Sequence, residues 1–514
     1  MSFVDNSGET ATATPQPQPH PQQAQTQSQS QTQLQTYAGN DITTIVIDPG
    51  SYSTRIGFAG LDHPSIISPS CYAYDSESPD VKLFEEQRIL YPKPGREVVK
   101  LVENGGIIKD FDSASKQWSY LIDSKMGIKP EEENASFANL PMILTEPIWN
   151  PIENRIKSIQ LVLEEMKFEA MYLLPQQSSV SFAMGKPNCL IVDLGHDKCS
   201  VSPVLDGFTL ASKTKRSFLN GALLTQLLQE KLLEKSEKCN EIDGKIELIS
   251  NFEVKSKNNP FSIKRIEGLT KSFRDNYNER FFIQECKELL LQCRPAVDPP
   301  TLAAQSSSSP ARSIEAPWGE PLIFKEEERY ELVDQLITPD INKPIIKSWA
   351  EANNSVLQTW HNDYIPVKRN TNTSAGQSAD QPNDTSVSND QDNNQIDAEI
   401  GDSITGLVEL IKSTVEDVDI DFRPTLTNNI IITGGLSYIP GLISLIQLEL
   451  TKKMPSFKIR IITQGNSVMT KERIYQTWLG GSILGSLGSF QQLYVGRQEL
   501  EEVGVERLLK SRFR

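Results

Sequence analysis

Two aspartates stand at matching places in two stretches that lie far apart in the sequence. Asp48 ends the apolar run Ile-Val-Ile and precedes Pro-Gly-Ser, and Asp193 ends the run Leu-Ile-Val and precedes Leu-Gly. A polar turn and a second apolar segment follow in both stretches, which predicts a strand, a tight turn and a returning strand. The N–H groups of such a turn bind anions, and an aspartate at the strand end is a ligand for a hydrated divalent cation.

One such turn on its own favours an ordinary β-hairpin. The repetition changes that interpretation, because two copies indicate an internally duplicated α/β fold whose turns face each other. Paired turns would hold the phosphates of a nucleotide from both sides, with Asp48 and Asp193 beside the metal. A third stretch, residues 430–435 (Ile-Ile-Ile-Thr-Gly-Gly), predicts a strand that runs into a flat glycine turn suited to a base.

The length and the polar stretches predict how the chain is organised. A chain of 514 residues exceeds one ordinary hydrophobic core, so two large lobes are expected. Residues 1–38 are rich in Gln, Pro, Thr and Ser, and residues 370–400 are rich in Asn, Asp, Ser, Thr and Gln. Neither stretch has the apolar side chains needed to form a core, so we expect a disordered tail and a disordered insertion.

Composition narrows the classes of partner. The net charge of −16 argues against direct binding to a nucleic-acid backbone and is compatible with basic partners such as histones. No apolar run is long enough to cross a bilayer, and the amino terminus lacks the layout of a signal peptide, so no membrane partner is expected. The six cysteines contain no CxxC pair, which indicates free, mostly buried thiols. The chain has four histidines and none clusters with cysteines, which argues against a zinc site.

Several separate segments, in the right order, resemble actin from about residue 41 to the end, apart from the insertion. These segments are Asp48-Pro-Gly-Ser, Ile56-Gly-Phe-Ala-Gly, Leu144-Thr-Glu-Pro, Thr433-Gly-Gly and Trp478-Leu-Gly-Gly-Ser-Ile-Leu. The resemblance implies an α/β, duplicated, two-lobed fold of the actin, Hsp70 and sugar-kinase type, with a central nucleotide cleft. It also implies a first lobe at residues 39–174, a second lobe at residues 175–475, and a return to the first lobe at residues 476–514.

The resemblance further implies ATP and Mg²⁺ as cofactors. Asp48 and Asp193 match acids that hold the metal through water, and Gln176 matches the glutamine that orients the attacking water. The positions that match cofactor-binding residues are Asp48, Gly50, Ser51, Tyr52, Arg55, Asp193, Gly195, His196, Asp197, Gly221, Lys287, Glu288, Gly434, Gly435 and Leu436.

Departures from actin bear on catalysis. Arg55 replaces a phosphate-contacting lysine, Tyr52 replaces a glycine of the first turn, and Ile474 replaces a lysine beside the adenine. His196 stands where actin has a second acid, and Ser200 stands where it has a histidine near the attacking water. Loss of that acid and that histidine weakens the network that positions and deprotonates water. We therefore expect ATP to bind and to be hydrolysed slowly or not at all.

Residues 187–203 and 501–507 resemble the nuclear class of actin-related proteins, in its fungal form. That class sits in histone acetyltransferase and chromatin-remodelling complexes. The resemblance implies a non-catalytic ATP-binding scaffold in the nucleus that contributes to histone and nucleosome binding, transcription regulation and DNA repair. Implied partners are nuclear actin, histones and an amphipathic helix of another subunit, held in the inter-lobe groove near Gly185, residues 404–410 and the carboxy-terminal segment.

The main alternative is an active actin-like ATPase that forms cytoskeletal filaments, or a kinase of the same superfamily. Residues 74–91 are short and acidic, and do not resemble the actin loop that inserts into the next subunit. A polar insertion follows residues 336–339, where actin has an apolar plug loop. Because both filament contacts are altered, we expect no homo-filament. No set of polar residues suited to a sugar accompanies the turns, which argues against a kinase.

Overall fold

A computed structural model describes residues 44–103, 105–129, 137–238, 240–242, 245–257, 261–296, 311–362, 404–463 and 471–513. The predicted tail at 1–38, the predicted insertion at 370–400 and Cys239 lie outside these residues. The other five cysteines are buried and form no disulfide, as the sequence predicted for them. Within the described part of the chain, no helix combines the length and the apolar character needed to cross a membrane.

The strands of the described residues are numbered in chain order. They are β1 Ile45–Pro49, β2 Ser53–Phe58, β3 Ile66–Pro69, β4 Cys71–Asp75, β5 Ser78–Leu83, β6 Arg96–Lys100, β7 Val102–Glu103, β8 Ile107–Ile108, β9 Pro141–Glu146, β10 Ala170–Pro175, β11 Cys189–Leu194, β12 Cys199–Leu205, β13 Phe208–Thr209, β14 Lys215–Ser217, β15 Asn240–Ile242, β16 Lys245–Glu247, β17 Val254–Ser256, β18 Ser262–Ile263, β19 Arg312–Glu315, β20 Pro321–Phe324, β21 Ile430–Thr433, β22 Ile461–Ile462 and β23 Val495–Gly496.

The helices follow the same convention. They are α1 Glu86–Ile89, α2 Phe111–Leu121, α3 Ile152–Gln160, α4 Gln176–Ala183, α5 Gly221–Lys235, α6 Lys271–Asn278, α7 Gln284–Leu290, α8 Glu326–Ile337, α9 Pro344–Asn362, α10 Leu407–Asp417, α11 Arg423–Thr427, α12 Leu442–Lys453, α13 Gln476–Gly485, α14 Arg497–Val503 and α15 Val505–Arg512. Single π-helical turns extend three of them, at Ile122–Met126, Leu161–Glu165 and Glu279–Ile283.

Two sheets repeat one pairing pattern. In the first sheet β1 pairs antiparallel with β2 and parallel with β9, and β9 pairs parallel with β10. In the second sheet β11 pairs antiparallel with β12 and parallel with β21, and β21 pairs parallel with β22. The two aspartates hold equivalent places, because Asp48 lies opposite Arg55 and Asp193 lies opposite Ser200. This repeat confirms the predicted duplicated α/β fold.

Strand β1 shows why a continuous apolar run forms the centre of the first sheet. Ile45 and Ile47 pack into the core on one face of the sheet, while Val46 packs with Ile143 and Trp478 on the other. Alternate residues of a strand point to opposite faces, so a strand covered on both sides needs apolar residues at every position. The sequence Ile-Val-Ile meets this requirement, and the polar residues begin where the strand leaves the sheet.

The carboxy-terminal elements pack against the first sheet. Strand β23 pairs with β10, and the Trp478 Nε1 on α13 donates a hydrogen bond of 3.1 Å to the Val46 carbonyl of β1. Arg155 Nη2 donates a hydrogen bond of 2.9 Å to the carbonyl oxygen of Phe513. The exact division into lobes at 39–174, 175–475 and 476–514 stays a prediction.

Candidate nucleotide site

The first turn (residues 48–52) is closed by its own backbone and by a serine from the next strand pair. Gly50 N–H donates to the Ser53 carbonyl at 3.2 Å, and Ser70 Oγ donates to the Gly50 carbonyl at 2.5 Å. A Cβ atom at Gly50 would lie 2.8 Å from the Ser53 carbonyl oxygen, so the turn has no room for a side chain there. The half-buried Ser51 lies at the tip of the same turn.

The second turn (residues 193–198) is fastened to the start of α5. Gly195 N–H donates to the Lys198 carbonyl at 2.9 Å and closes the turn, while Gly221 N–H donates to the Gly195 carbonyl at 3.1 Å. Asn220, which caps α5, donates from its side chain to the Asp197 carbonyl at 2.7 Å. The amino terminus of a helix favours negative charge, so this arrangement places a favourable dipole beside the second turn.

The two turns face each other and touch through their side chains. The rings of Tyr52 and His196 lie with their centroids 5.2 Å apart. On the Tyr52 side, the Arg280 guanidinium lies 4.6 Å from the ring centroid and donates to the Tyr52 carbonyl at 3.1 Å. Burial raises the pKa of the Tyr52 phenol to about 12, so this ring stays neutral. His196 Nε2 lies 3.4 Å from a carboxylate oxygen of Glu279, yet burial keeps the pKa of His196 below its ordinary value.

The two predicted metal-side acids already contact cations and donors of the chain itself. Asp48 Oδ2 accepts from Arg55 Nη1 at 2.9 Å, and Asp48 Oδ1 accepts from the Thr145 hydroxyl at 2.6 Å. Asp193 Oδ2 lies 3.8 Å from Lys198 Nζ. Burial raises the pKa of Asp193, and the facing Lys198 ammonium opposes that effect.

Lys198 is the central contact among these groups. Its side chain is only 8% exposed, and its Nζ donates to Gln176 Oε1 at 2.9 Å. The same ammonium lies 4.2 Å from the centre of the Trp149 ring, in a cation–π contact. Burial lowers the pKa of Lys198 to about 8, so the group still carries its charge at neutral pH.

The predicted adenine-side turn packs directly on β11. Gly434 has φ = +89°, and a Cβ atom there would lie 2.4 Å from the Leu194 carbonyl oxygen and 2.8 Å from Asp193 Oδ1. At Gly435, no atom lies within 4 Å of the position that a Cβ atom would take. Leu436 packs at the edge of the second core. The turn therefore presents a backbone surface with no side chain in front of it.

Lys287 and Glu288, predicted to contact ribose and base, have different surroundings. Lys287 is buried and donates to the Thr225 hydroxyl at 2.8 Å, and Thr225 in turn bonds the Gly221 carbonyl at 3.1 Å. Burial lowers the pKa of Lys287. Glu288 is exposed, and its carboxylate accepts a hydrogen bond of 2.8 Å from Gln284 on the same helix. The structure thus connects Lys287 to the second turn and leaves Glu288 at the surface of α7.

Three residues of this site were missed by the sequence analysis: Lys198, Arg280 and Trp149. A lysine immediately before a buried strand was a usable signal for Lys198, since such a charge needs a partner. Arg280 and Trp149 gave no signal of that kind, because each reaches the site from an element far away in the sequence.

A second surface consists of exposed apolar side chains on and beside two packed helices. Helices α4 and α13 are joined by a hydrogen bond of 2.5 Å from Ser179 Oγ to the Thr477 carbonyl. Phe208 is 74% exposed and follows Gly207, where a Cβ atom would lie 3.5 Å from the Phe182 ring. Ile483 on α13 and Leu487 just after it are also exposed, and we refer to Phe182, Phe208, Ile483 and Leu487 together as the apolar surface.

The placement of residues 404–410 in a partner groove is wrong. Ile404, Leu407, Val408 and Leu410 are buried, and all four belong to the core of the second sheet. Their apolar character serves the packing of α10 against β12 and α12, so they present no surface to a partner.

The family model described as Actin matches residues 39–513, and the chain belongs to the actin family. Members of this family bind nucleotide together with a divalent cation. The chain is 41% identical over 500 residues to an actin-related protein 4 from Eremothecium gossypii, and 40% identical over 508 residues to one from Saccharomyces cerevisiae; each match covers 94% of this chain and 99% of the relative. An actin-related protein 4 from Candida albicans is 33% identical over 497 residues, or 93% of this chain and 98% of the relative. The resemblance to actin-related proteins is thereby confirmed.

Proposed function

We propose that this chain is a non-catalytic, ATP-binding scaffold subunit of nuclear histone acetyltransferase and chromatin-remodelling complexes. In that role it contributes to histone and nucleosome binding, transcription regulation and DNA repair. The similarity to proteins named actin-related protein 4 and the resemblance of residues 187–203 to the chromatin-complex class support this cellular setting.

The facing turns support the binding of ATP. The first turn (residues 48–52) and second turn (residues 193–198) lie beside the cations of Arg55 and Lys198, which would attract the phosphates of a nucleotide. The open backbone at Gly435 suits an adenine, and the buried ammonium of Lys287 suits a ribose. A nucleotide that binds only the folded chain stabilises it by mass action, so ATP acts here as a structural ligand.

The contact between Gln176 and Lys198 carries the proposal that ATP is not hydrolysed. A glutamine that orients an attacking water must accept or donate a hydrogen bond at that water. The Gln176 Oε1 instead accepts from the Lys198 ammonium at 2.9 Å. Ser200, at the position of the family's histidine, is 1% exposed and offers no base to remove a proton from water.

Single-turnover measurements test the absence of hydrolysis. Purified full-length chain is mixed with radiolabelled ATP and Mg²⁺, and phosphate release is followed beside filament-forming actin. We expect bound ATP to remain intact on the time scale in which actin hydrolyses it, and Gln176→Ala to change nothing. Release at the rate of actin, abolished by Gln176→Ala, would instead establish the active ATPase.

The apolar surface formed by Phe182, Phe208, Ile483 and Leu487 supports the scaffold role. Exposed apolar side chains that form a patch are typical of protein interaction sites. An amphipathic helix from an acetyltransferase or remodeller subunit places apolar residues at i, i+3, i+4 and i+7, which suits a surface built on two packed helices. Nuclear actin and histones are further proposed partners, the histones because of the net charge of −16.

Substitutions on this surface test the scaffold role. The change Phe208→Asp adds a charge to the apolar surface, and we expect it to abolish co-purification of acetyltransferase and remodeller subunits from nuclei. Ile420→Asp is the matched control, because Ile420 is also exposed, at 68%, but lies outside this surface. Equal recovery of the subunits with both variants would refute the proposed docking surface.

Sedimentation in Mg²⁺, ATP and salt checks the expected absence of filaments.

A further inference from the structure

The ammonium of Lys198 lies between the carboxylate of Asp193 and the side-chain amide of Gln176. Its Nζ is 2.9 Å from Gln176 Oε1 and 3.8 Å from Asp193 Oδ2. The aromatic face of Trp149 forms one wall, and a Cβ atom at Gly106 would come within 3.6 Å of the same nitrogen. The side chain is thus held on several sides by groups of the site, and its own carbonyl closes the second turn.

The oxygen atoms around this position do not suit Mg²⁺. That ion requires an octahedral shell of oxygen atoms at about 2.1 Å, which it takes from carboxylates, phosphates and water. Both oxygens of Asp48 are already used, one by Arg55 and one by Thr145. Within the described ranges, no group of three or more His, Cys, Asp or Glu side chains is arranged to hold a metal ion. The predicted metal position between Asp48 and Asp193 therefore already faces protein cations.

The charges near the two turns also argue against a bound divalent cation. The carboxylates of Asp48 and Asp193 are each matched by one cation, Arg55 at 2.9 Å and Lys198 at 3.8 Å. A divalent ion added to this neutral, buried set would meet the two cations at close range, where repulsion is only weakly screened. A phosphate chain, in contrast, would be attracted by both.

We propose that the Lys198 ammonium takes the place of the divalent cation, so that this chain binds an adenine nucleotide without a metal ion. The inference rests on the ATP binding proposed above. It specifies that the ligand is the free nucleotide, and that Lys198 and Arg55 supply the positive charge that the phosphates require.

Calorimetric titration of the full-length, nucleotide-free chain with ATP tests this inference. We expect ATP to bind at least as tightly in EDTA as in Mg²⁺, because Mg²⁺ complexes ATP in solution and competes with the protein for the free nucleotide. Lys198→Met keeps the length and the apolar stem of the side chain while it removes the charge. In that variant we expect ATP affinity in EDTA to fall by about tenfold or more, and Mg²⁺ to restore part of it. Lys412→Met is the control and should match the unmodified chain, because Lys412 lies on α10 and pairs with Glu409, away from the two turns.

Electron paramagnetic resonance with Mn²⁺ gives a second readout that needs no variant. With unmodified chain and ATP, we expect the spectrum of Mn²⁺–ATP in solution, because the protein holds nucleotide without the ion. A protein-bound Mn²⁺ signal, or loss of ATP binding when EDTA is added, would overturn the inference while leaving ATP binding itself intact. Failure to bind ATP both with and without metal would refute the proposed function as well, so the two failures are distinguishable.

Discussion

The ring of Tyr52 packs against the imidazole of His196, with centroids 5.2 Å apart and the planes tilted by 52°. This contact joins the turn of one hairpin to the turn of the other. The resemblance to actin matches Tyr52 to a glycine and His196 to an acid, so it implies that both partners of the contact are departures from actin. Two departures that would each weaken phosphate chemistry alone together form a contact across the cleft.

A double-mutant cycle measures that contact. Tyr52→Leu and His196→Leu each lower stability, and we expect the double variant to lose less than the sum, with a coupling of about 0.5–1.5 kcal/mol as for other aromatic pairs. Thermal unfolding of nucleotide-free protein provides the measurement. Tyr52→Leu combined with Phe490→Leu is the control, and that pair should be additive, because Phe490 packs in the cluster of Val46 and Trp478, which does not include Tyr52.

His196 gives the stability of the protein a pH dependence of known sign. Burial lowers the folded pKa of His196 below the unfolded value of 6.5. The carboxylates of Glu279 and Asp197 oppose this shift, and the ammonium groups of Lys287 and Lys100 add to it. The unfolded chain therefore binds a proton at His196 that the folded chain does not bind, and stability is lost as the pH falls below 6.5. The slope is at most about 1.4 kcal/mol per pH unit.

Melting temperatures between pH 5 and 8 check this prediction. The advantage of the unmodified protein over His196→Gln should be constant above neutrality and should shrink as the solution becomes acidic. The control variant is His63→Gln, since His63 is exposed. If the melting temperatures of both variants and of the unmodified protein change equally with pH, burial of His196 does not cause the loss of stability in acid.

Gly434 and Gly435 are neighbours with opposite tolerance for a side chain. Gly434→Ala places a methyl group 2.4 Å from the Leu194 carbonyl oxygen, at φ = +89°, so the turn and β11 must separate. We expect a loss of at least about 2 kcal/mol of stability and a severe loss of ATP affinity. Gly435→Ala should leave stability nearly unchanged, since nothing lies within 4 Å of the added atom. Calorimetry and thermal unfolding of both variants make the comparison.

Arg155 stabilises the buried carboxylate of Glu146 and the end of the chain at once. Its Nε donates to Glu146 at 2.8 Å, and its Nη2 donates to the Phe513 carbonyl at 2.9 Å. We expect Arg155→Met to cost about 3–5 kcal/mol, because it leaves a buried charge without a cation. Addition of Glu146→Gln should recover part of this loss in urea unfolding.

An exposed cation provides the comparison for Arg155. Arg294 pairs with Glu327 and Asp334, both at 2.9 Å, but is 48% exposed. Arg294→Met should cost less than about 1 kcal/mol, because water screens the pair. Equal costs for the two arginine variants would show that burial does not determine the strength of these ion pairs.

Much of the framework was predictable from local sequence. Strand β1 and its return strand β2 follow from an apolar run, a Pro-Gly turn and a second apolar run, and the equivalent pattern at β11 and β12 revealed the duplication. These features depend on neighbours in the chain, which a sequence displays directly.

Contacts made through tertiary structure were not predictable in this way. Lys198 contacts Gln176 and Trp149 only because three segments that are distant in sequence come together in the fold. No local sequence pattern indicates that these segments are in contact. Residues 404–410 illustrate the opposite difficulty. An apolar segment suits a partner groove and a core equally well, and only the position of α10 between β12 and α12 decides for the core.

The hydrogen bond from Trp478 to the Val46 carbonyl spans 432 positions of the chain. The ribosome synthesises Val46 long before Trp478, so for most of synthesis strand β1 lacks the helix α13 that covers its Val46 face. Contacts of such long range delay folding and leave apolar strands open to wrong pairing. The first sheet therefore exposes the Val46 face of β1 until α13 has been synthesised, and we expect this face to be covered late in folding.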